Sequence, residues 1–245
     1  MLKPYHQVAI QDCGESLVPI PPTPFVLAEP HPYAVLGAPY GQVSPFYLRE
    51  GVLAALKQAQ AFLEQQQPNW RIFVFDAYRP IPVQQFMVDY TFAELLRSRG
   101  LEQIKLSPAE LQPLWADVYA LWAMPSHDPL TPPPHSTGAA VDLTLVDGQG
   151  QWVWMGSDID ELSPRSQPNY FSDWAENSAF DPQQRQQAEL AHRHRQCLNQ
   201  VMTQAGFQRH PGEWWHFSLG DQLWAWQLQQ QGQTGVIARY GRYRA

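Results

Sequence analysis

Proline constrains this chain more than any other residue. Pro19, Pro21, Pro22, Pro24, Pro30, Pro32, Pro39 and Pro45 all fall before residue 49. Each fixes φ and removes a backbone donor, so no long helix and no central strand can form there. Phe25, Val26, Leu27, Tyr33, Val35, Leu36, Tyr40, Phe46 and Tyr47 are interspersed among them. That apolar content predicts an ordered arm, residues 1–48, packed on the rest of the chain instead of a disordered leader.

Regular structure is expected to begin after the arm. Val52, Leu53, Leu56, Ala59, Phe62 and Leu63 recur at helical spacing within Arg49–Gln67, and Pro68 ends that helix. Arg71–Phe75 is β-branched and aromatic, of strand length, and is closed by a turn over Asp76–Pro80. Helical patterns cover Val83–Ser98 and Pro108–Ala123, with Pro108 suited to a first turn. After a proline-rich loop from Pro125 to Pro134, Ala140–Val146 reads as a strand ended by Asp147-Gly148. Trp152–Trp154 is its expected hairpin partner. Gly156–Ser178 reads as polar and irregular, and Pro182 to Ala205 as a long helix stopped by Gly206. Trp214–Leu219 reads as a last strand and Asp221–Gln230 as a final short helix. Strands and helices are interspersed without a βαβ rhythm, and there is no internal repeat, so the expectation is a single α+β domain over 1–245.

Composition narrows the function classes. A chain of 245 residues with 44% hydrophobic residues can bury a large core. Sixteen Lys+Arg against 23 Asp+Glu give a net charge of −7, which lacks the footprint of a nucleic-acid binder. The densest basic stretch, Arg193 and Arg195 between histidines, is short. Cys13 and Cys197 are too few for a disulfide scaffold and fit no zinc ribbon or redox motif. Met1–Ile20 has no apolar signal region, and no uninterrupted apolar run reaches the ~18–20 residues that cross a bilayer. The expectation is a cytoplasmic protein with neither nucleic-acid nor membrane partners. No sequence signal bears on oligomeric state.

Three segments carry reactive side chains into structured backbone: Asp76-Ala77-Tyr78-Arg79-Pro80, His135-Ser136-Thr137-Gly138-Ala139-Ala140-Val141-Asp142, and Glu213-Trp214-Trp215-His216. Singly, each has a bland account as a loop histidine, a strand-edge charge, a turn arginine or a polar neighbour of core tryptophans. Jointly, two imidazoles and one carboxylate form a three-ligand zinc set with a fourth position left for water, as a catalytic zinc requires. In a regular strand Glu213 and His216 face opposite sides. A turn at Gly212-Glu213 would free Glu213 to face the metal water, which suits a general base better than a fourth ligand. His6, His31, His127, His192, His194 and His210 match no ligand pattern.

These segments resemble the D-alanyl-D-alanine dipeptidase family, the VanX type of zinc dipeptidase. Its pattern runs AYRP, SxHxxGxAxD, MGxxFD and ExWHF, matched here by Asp76–Pro80, His135–Asp142, Met155–Asp160 and Glu213–Phe217. The entry Pro45-Phe46-Tyr47-Leu48-Arg49 is also similar to the family. The resemblance implies an α+β fold: a small, mainly antiparallel sheet with helices around it and a zinc cleft on one face. It implies one zinc per chain on His135, Asp142 and His216. Glu213 would take a proton from the metal-bound water and pass it to the leaving amine, and Arg79 would stabilise the oxyanion. Asp160 would meet the substrate's free ammonium, the substrate being D-Ala-D-Ala or a similar short D,D-dipeptide. Two departures touch specificity: Pro133 stands where the family has a serine, and Ile159 where it has phenylalanine. The rival readings are a zinc D,D-carboxypeptidase acting on longer peptidoglycan peptides and a non-catalytic zinc-stabilised binding module. Glu213 and Arg79 speak against the module, since a structural zinc needs neither.

Overall fold

The computed structural model describes residues 3–174 and 179–243. In chain order its elements are β1 (Leu17–Pro19), β2 (Val26–Leu27), α1 (Pro32–Val35), β3 (Tyr47–Arg49), α2 (Glu50–Gln66), β4 (Arg71–Asp76), α3 (Ile81–Ser98), α4 (Pro108–Leu121), β5 (Ala140–Val146), α5 (Pro182–Gln204), β6 (Gln208–Arg209), β7 (His216–Ser218) and α6 (Gln222–Gln230). The fold is α+β. A five-stranded sheet runs in the order β2-β4-β5-β7-β6, antiparallel throughout except where β2 joins β4 in parallel at one edge. β1 and β3 form a separate antiparallel pair.

Local chemistry explains the element ends. Arg49, assigned to the first long helix by its sequence pattern, closes β3 instead and is the N-cap residue of α2. Ser107 and Glu110 close a reciprocal capping box on α4, and Asp181 and Gln184 do the same on α5. Asp221 caps α6 by accepting from the Trp224 N–H. One face of the sheet is covered by α2 and α5, which pack on each other through residues such as Leu56, Leu63, Leu198 and Met202. Ile20, Phe25, Ala28, Phe46 and Leu48, from the proline-rich segment, are buried in the same cluster. A second cluster joins α3 to α4 through Val88, Phe92, Leu114 and Val118, with Tyr33 and Trp122 at its edge.

Several expected elements are shorter than their patterns. The Trp152–Trp154 strand is reduced to one bridge, Val146 to Trp152, with Trp152 and Trp154 exposed. The last strand starts at His216, not Trp214, because the turn at residues 211–212 ends only just ahead of it. The irregular stretch from Gly156 holds to residue 174 apart from one short 3-10 turn; residues 175–178 of it lie outside the described residues. Neither cysteine is paired. Among the described residues no helix is long and apolar enough to cross a membrane.

Candidate metal centre and its cavity

Sheet register aligns the site. Asp76 on β4 pairs with Asp142 on β5, and Asp142 pairs with His216 on β7, so three polar side chains lie in one row across three strands. The ladder is irregular between Val74 and Asp76, just before that row. His135 joins from the 3-10 turn Pro134–Thr137 that feeds β5. Gly138 ends this turn at φ +71°, and a Cβ there would meet Leu17 Cδ2 at 2.2 Å, so the tight entry to β5 requires glycine.

His135, Asp142 and His216 are all buried, and one ligand atom from each lies within 4.8 Å of the others. His135 Nε2 is 3.1 Å from His216 Nδ1 and 3.2 Å from Asp142 Oδ2, while His216 Nδ1 is 3.1 Å from Asp142 Oδ1. Second partners fix the tautomers. His135 Nδ1–H donates to the Ala77 carbonyl at 2.7 Å. The Ser218 hydroxyl gives its one proton to Asp221 at 2.8 Å, so at 3.3 Å it accepts from His216 Nε2–H. The two nitrogens that face each other therefore both carry lone pairs, and Asp142 Oδ1 has no hydrogen-bond partner. Crowded buried acceptors without a proton between them repel; a cation resolves the conflict. Ligands about 2.0–2.1 Å from a tetrahedral centre sit about 3.3 Å apart, close to the spacing here. The donor set, two imidazoles and a carboxylate, fits zinc.

The surrounding cavity, about 520 Å³ counted to its open mouth, is also bordered by Arg79, Glu213, Asp160, His210 and Lys3. Arg79 is buried at the end of β4. Its Nε and Nη2 donate to Asp76 Oδ2 at 3.0 and 2.7 Å, Nη2 reaches Asp142 Oδ2 at 3.2 Å, and Nη1 donates to Gln84 Oε1 at 3.0 Å. The rings of Trp122 and Tyr33 lie 4.8 and 5.1 Å from the guanidinium carbon. Burial pushes the Asp76 carboxyl up, but Arg79 and His31 more than offset it and hold it below the usual carboxylate range.

Glu213 stands outside β7, in the turn ahead of it, with its N–H donating to the His210 carbonyl. It is freed from strand alternation, and its Oε2 is 3.8 Å from His216 Nδ1. Burial, reinforced by Asp142 and Asp160, pushes its carboxyl well above the ordinary range. Asp160 sits at the cavity wall with φ +62°, a left-handed conformation that aspartate tolerates better than most residues. The Tyr33 hydroxyl donates to it at 2.5 Å, and burial, with Asp142 nearby, pushes its pKa up to about 7.

All six residues singled out from sequence thus gather around one cavity. Pro133 caps the 3-10 turn, its carbonyl accepting from the Ser136 N–H and hydroxyl, and does not border the cavity. Ile159 packs against the main core. Four contributors escaped the sequence reading. Asp76 anchors Arg79, and the i, i+3 spacing within the Asp76–Pro80 segment was the available signal. His31 and Tyr40 donate to Asp76 Oδ1 at 3.0 and 3.1 Å, and Tyr33 holds Asp160; all three come from the proline-rich segment, where no local pattern marks them.

The family model of M15 peptidases described as D-ala-D-ala dipeptidase matches residues 27–233. A Synechocystis protein named D-alanyl-D-alanine dipeptidase is 54% identical over 242 residues, covering 98% of this chain and 97% of that one. A protein of the same name from Escherichia coli K12 is 39% identical over 85 residues, 35% of this chain and 37% of its own. Among solved structures, the LdcB LD-carboxypeptidase is a distant likeness, with a TM-score of 0.44 at 15% identity over 91% of this chain and 76% of that one. With a family model spanning most of its length and a near full-length relative above half identity, this chain belongs to the D-Ala-D-Ala dipeptidase family of M15 peptidases and is a metallopeptidase.

Proposed function

We propose that this chain acts in the cytoplasm, as a single domain, to hydrolyse D-alanyl-D-alanine or a closely similar D,D-dipeptide with the help of one zinc ion. The observation that carries the reading is the cluster of opposed lone pairs on His135 and His216 beside the unpartnered Asp142 Oδ1. It lies in the same cavity as a buried carboxyl, a fixed guanidinium and a second carboxylate. His135 Nε2, His216 Nδ1 and Asp142 would hold the metal. When bound, zinc supplies Lewis acidity to the scissile carbonyl and lowers the pKa of water.

The chain's own residues divide the remaining work. Glu213 takes the proton of the attacking water and returns it to the leaving amine, and its raised affinity for a proton suits a group that must do both. Arg79 points a fixed, always charged donor at the oxyanion; Asp76 and Gln84 prevent it from swinging away. Asp160, oriented by Tyr33, pairs with the substrate ammonium. Trp122 and the end of α4 wall off water, which strengthens each of these charge interactions.

Among peptides that lose their C-terminal residue, only a dipeptide has a free ammonium beside the scissile bond, so blocking it separates this reading from a carboxypeptidase. N-acetylation leaves Asp160 without its partner, at a cost of about 3 kcal/mol or about a hundredfold. Zinc-loaded protein should hydrolyse D-Ala-D-Ala at least about a hundredfold better, in kcat/KM, than its N-acetyl derivative. Equal values would replace the dipeptidase with the carboxypeptidase.

A further inference from the structure

One charged side chain on the cavity has no part in the scheme above: Lys3. It precedes the 3-10 turn Pro4–Gln7, which packs on α6, and it lies outside the stretch matched by the family model. The position is built. Its N–H donates to His6 Nδ1 at 3.2 Å, and its half-buried ammonium donates to the Tyr119 carbonyl at 2.8 Å, over the last turn of α4. No carboxylate pairs with it among the described residues.

A zwitterionic dipeptide brings two charges, and Asp160 answers only one. The second requires a cation with free donors inside the cavity. Asp76, Asp142 and Gln84 take four of the five Arg79 N–H donors, and the scheme above spends the one that remains on the oxyanion. Lys3 has three donors, of which the Tyr119 carbonyl takes one. Burial, which outweighs the opposing Glu213 carboxylate, disfavours its charge, so an anionic ligand alongside would gain a strong and poorly hydrated partner.

We propose that Lys3 binds the C-terminal carboxylate of the substrate, an inference that rests on the D,D-peptide reading given above. Under it the N-terminal segment completes the specificity pocket: a cation recognises a free C-terminus at one end and Asp160 a free N-terminus at the other. Tyr5, from the same segment, also lines the cavity.

The test compares D-Ala-D-Ala with its C-terminal amide, which has the same shape and no negative charge. Because the readout is a ratio within each protein, partial misfolding of a variant cancels. Lys3→Gln should lower the acid-over-amide ratio of kcat/KM at least about tenfold, chiefly through KM, and Lys3→Arg should keep most of it. Lys105→Gln, on an exposed lysine paired with Glu102, should leave the ratio at its wild-type value. Turnover with an unchanged ratio in Lys3→Gln would overturn the inference while leaving the dipeptidase reading intact. If the wild type hydrolyses neither compound, that reading fails by itself, and calorimetric affinities for the same two compounds decide Lys3. Loss of the acid-over-amide preference in Lys3→Gln supports the carboxylate site, and equal affinities in the wild type refute it.

Discussion

Arg79 and Arg195 are both buried and both lie against aromatic rings, yet carboxylates answer the first and carbonyls the second. Arg79 sits between Trp122 and Tyr33 and is tied to Asp76, Asp142 and Gln84. Arg195, wholly buried on α5, lies over Phe171 and Trp214 and donates to the carbonyls of Met155, Gln167 and Arg165 at 2.7–2.9 Å, and to Ser157 Oγ at 3.1 Å. No carboxylate pairs with Arg195 among the described residues.

The partners differ because the tasks differ. At the cavity the aspartates fix a formal charge in a chosen place and keep it there at any working pH, raising the arginine's proton affinity well above its ordinary level. At α5 the cation gathers the backbone of a loop that has only one short 3-10 turn of its own, and that loop carries Asp160. Gly156 makes the gathering possible. Its φ is +85°, and a Cβ would strike Phe171 at 2.3 Å and Ala191 at 2.9 Å, so the loop lies flat on α5 only with glycine there. One arginine serves the reaction directly in the proposed scheme, and the other serves it through the placement of a loop. Substitutions should separate the two by moving activity and stability independently.

The largest effect is expected from the cavity carboxyl. Glu213→Gln removes the proton carrier and should cost about 10²–10⁴-fold in kcat. Because burial and the neighbouring carboxylates disfavour the Glu213 charge, this carboxyl costs the folded state stability at neutral pH, where the unfolded chain ionises it freely. The melting temperature of the metal-free variant should therefore equal or exceed that of the wild type. A variant that loses activity and also melts markedly lower would make Glu213 a structural residue and blur the contrast.

Arg79→Lys comes next. Lysine keeps the charge but cannot reproduce the fork that grips Asp76 through Nε and Nη2 and Gln84 through Nη1. Loss of one aligned oxyanion donor is worth about 10²-fold or more in kcat, with KM within about threefold. Steady-state kinetics on the dipeptide would show it. A change confined to KM would make Arg79 a ground-state anchor, closer in kind to Arg195.

What the sequence made legible follows the range of the interactions involved. α2, β4, β5 and α5 announce themselves through local periodicity, and the metal residues through short motifs that each end in a structured element. β1, β2, β3 and β6, two or three residues long, are too short to display alternation. The row Asp76–Asp142–His216 depends on strand register, which is set by pairing between distant segments. His31 and Tyr40 reach Asp76 from 36 to 45 residues away, so no window on the sequence contains both partners. Arg195 reads as part of a solvated basic stretch beside Arg193, and α5 separates them: Arg193 is exposed, and Arg195, two residues on, turns into the core.

That separation supplies the smallest expected effect on chemistry and the sharpest one on stability. Arg195→Met keeps a long, flexible apolar stem against Phe171 and Trp214 but removes every donor to Met155, Arg165 and Gln167. Hydrogen bonds from a charged group contribute about 1.5–3 kcal/mol each, and water can reach some of the freed carbonyls once the loop loosens, so about 3 kcal/mol net is expected. For a chain of this size that lowers the melting temperature by about 6–12 °C. Arg193→Met, on the exposed neighbour, should change it by less than about 2 °C. In the surviving folded enzyme the loop bearing Asp160 is less well fixed, so KM for the free dipeptide should rise more than kcat falls, the reverse of Arg79→Lys. A kcat loss like that of Arg79→Lys with no change in melting would erase the distinction between the two arginines. A melting loss with KM unmoved would show that Asp160 is held by Tyr33 alone.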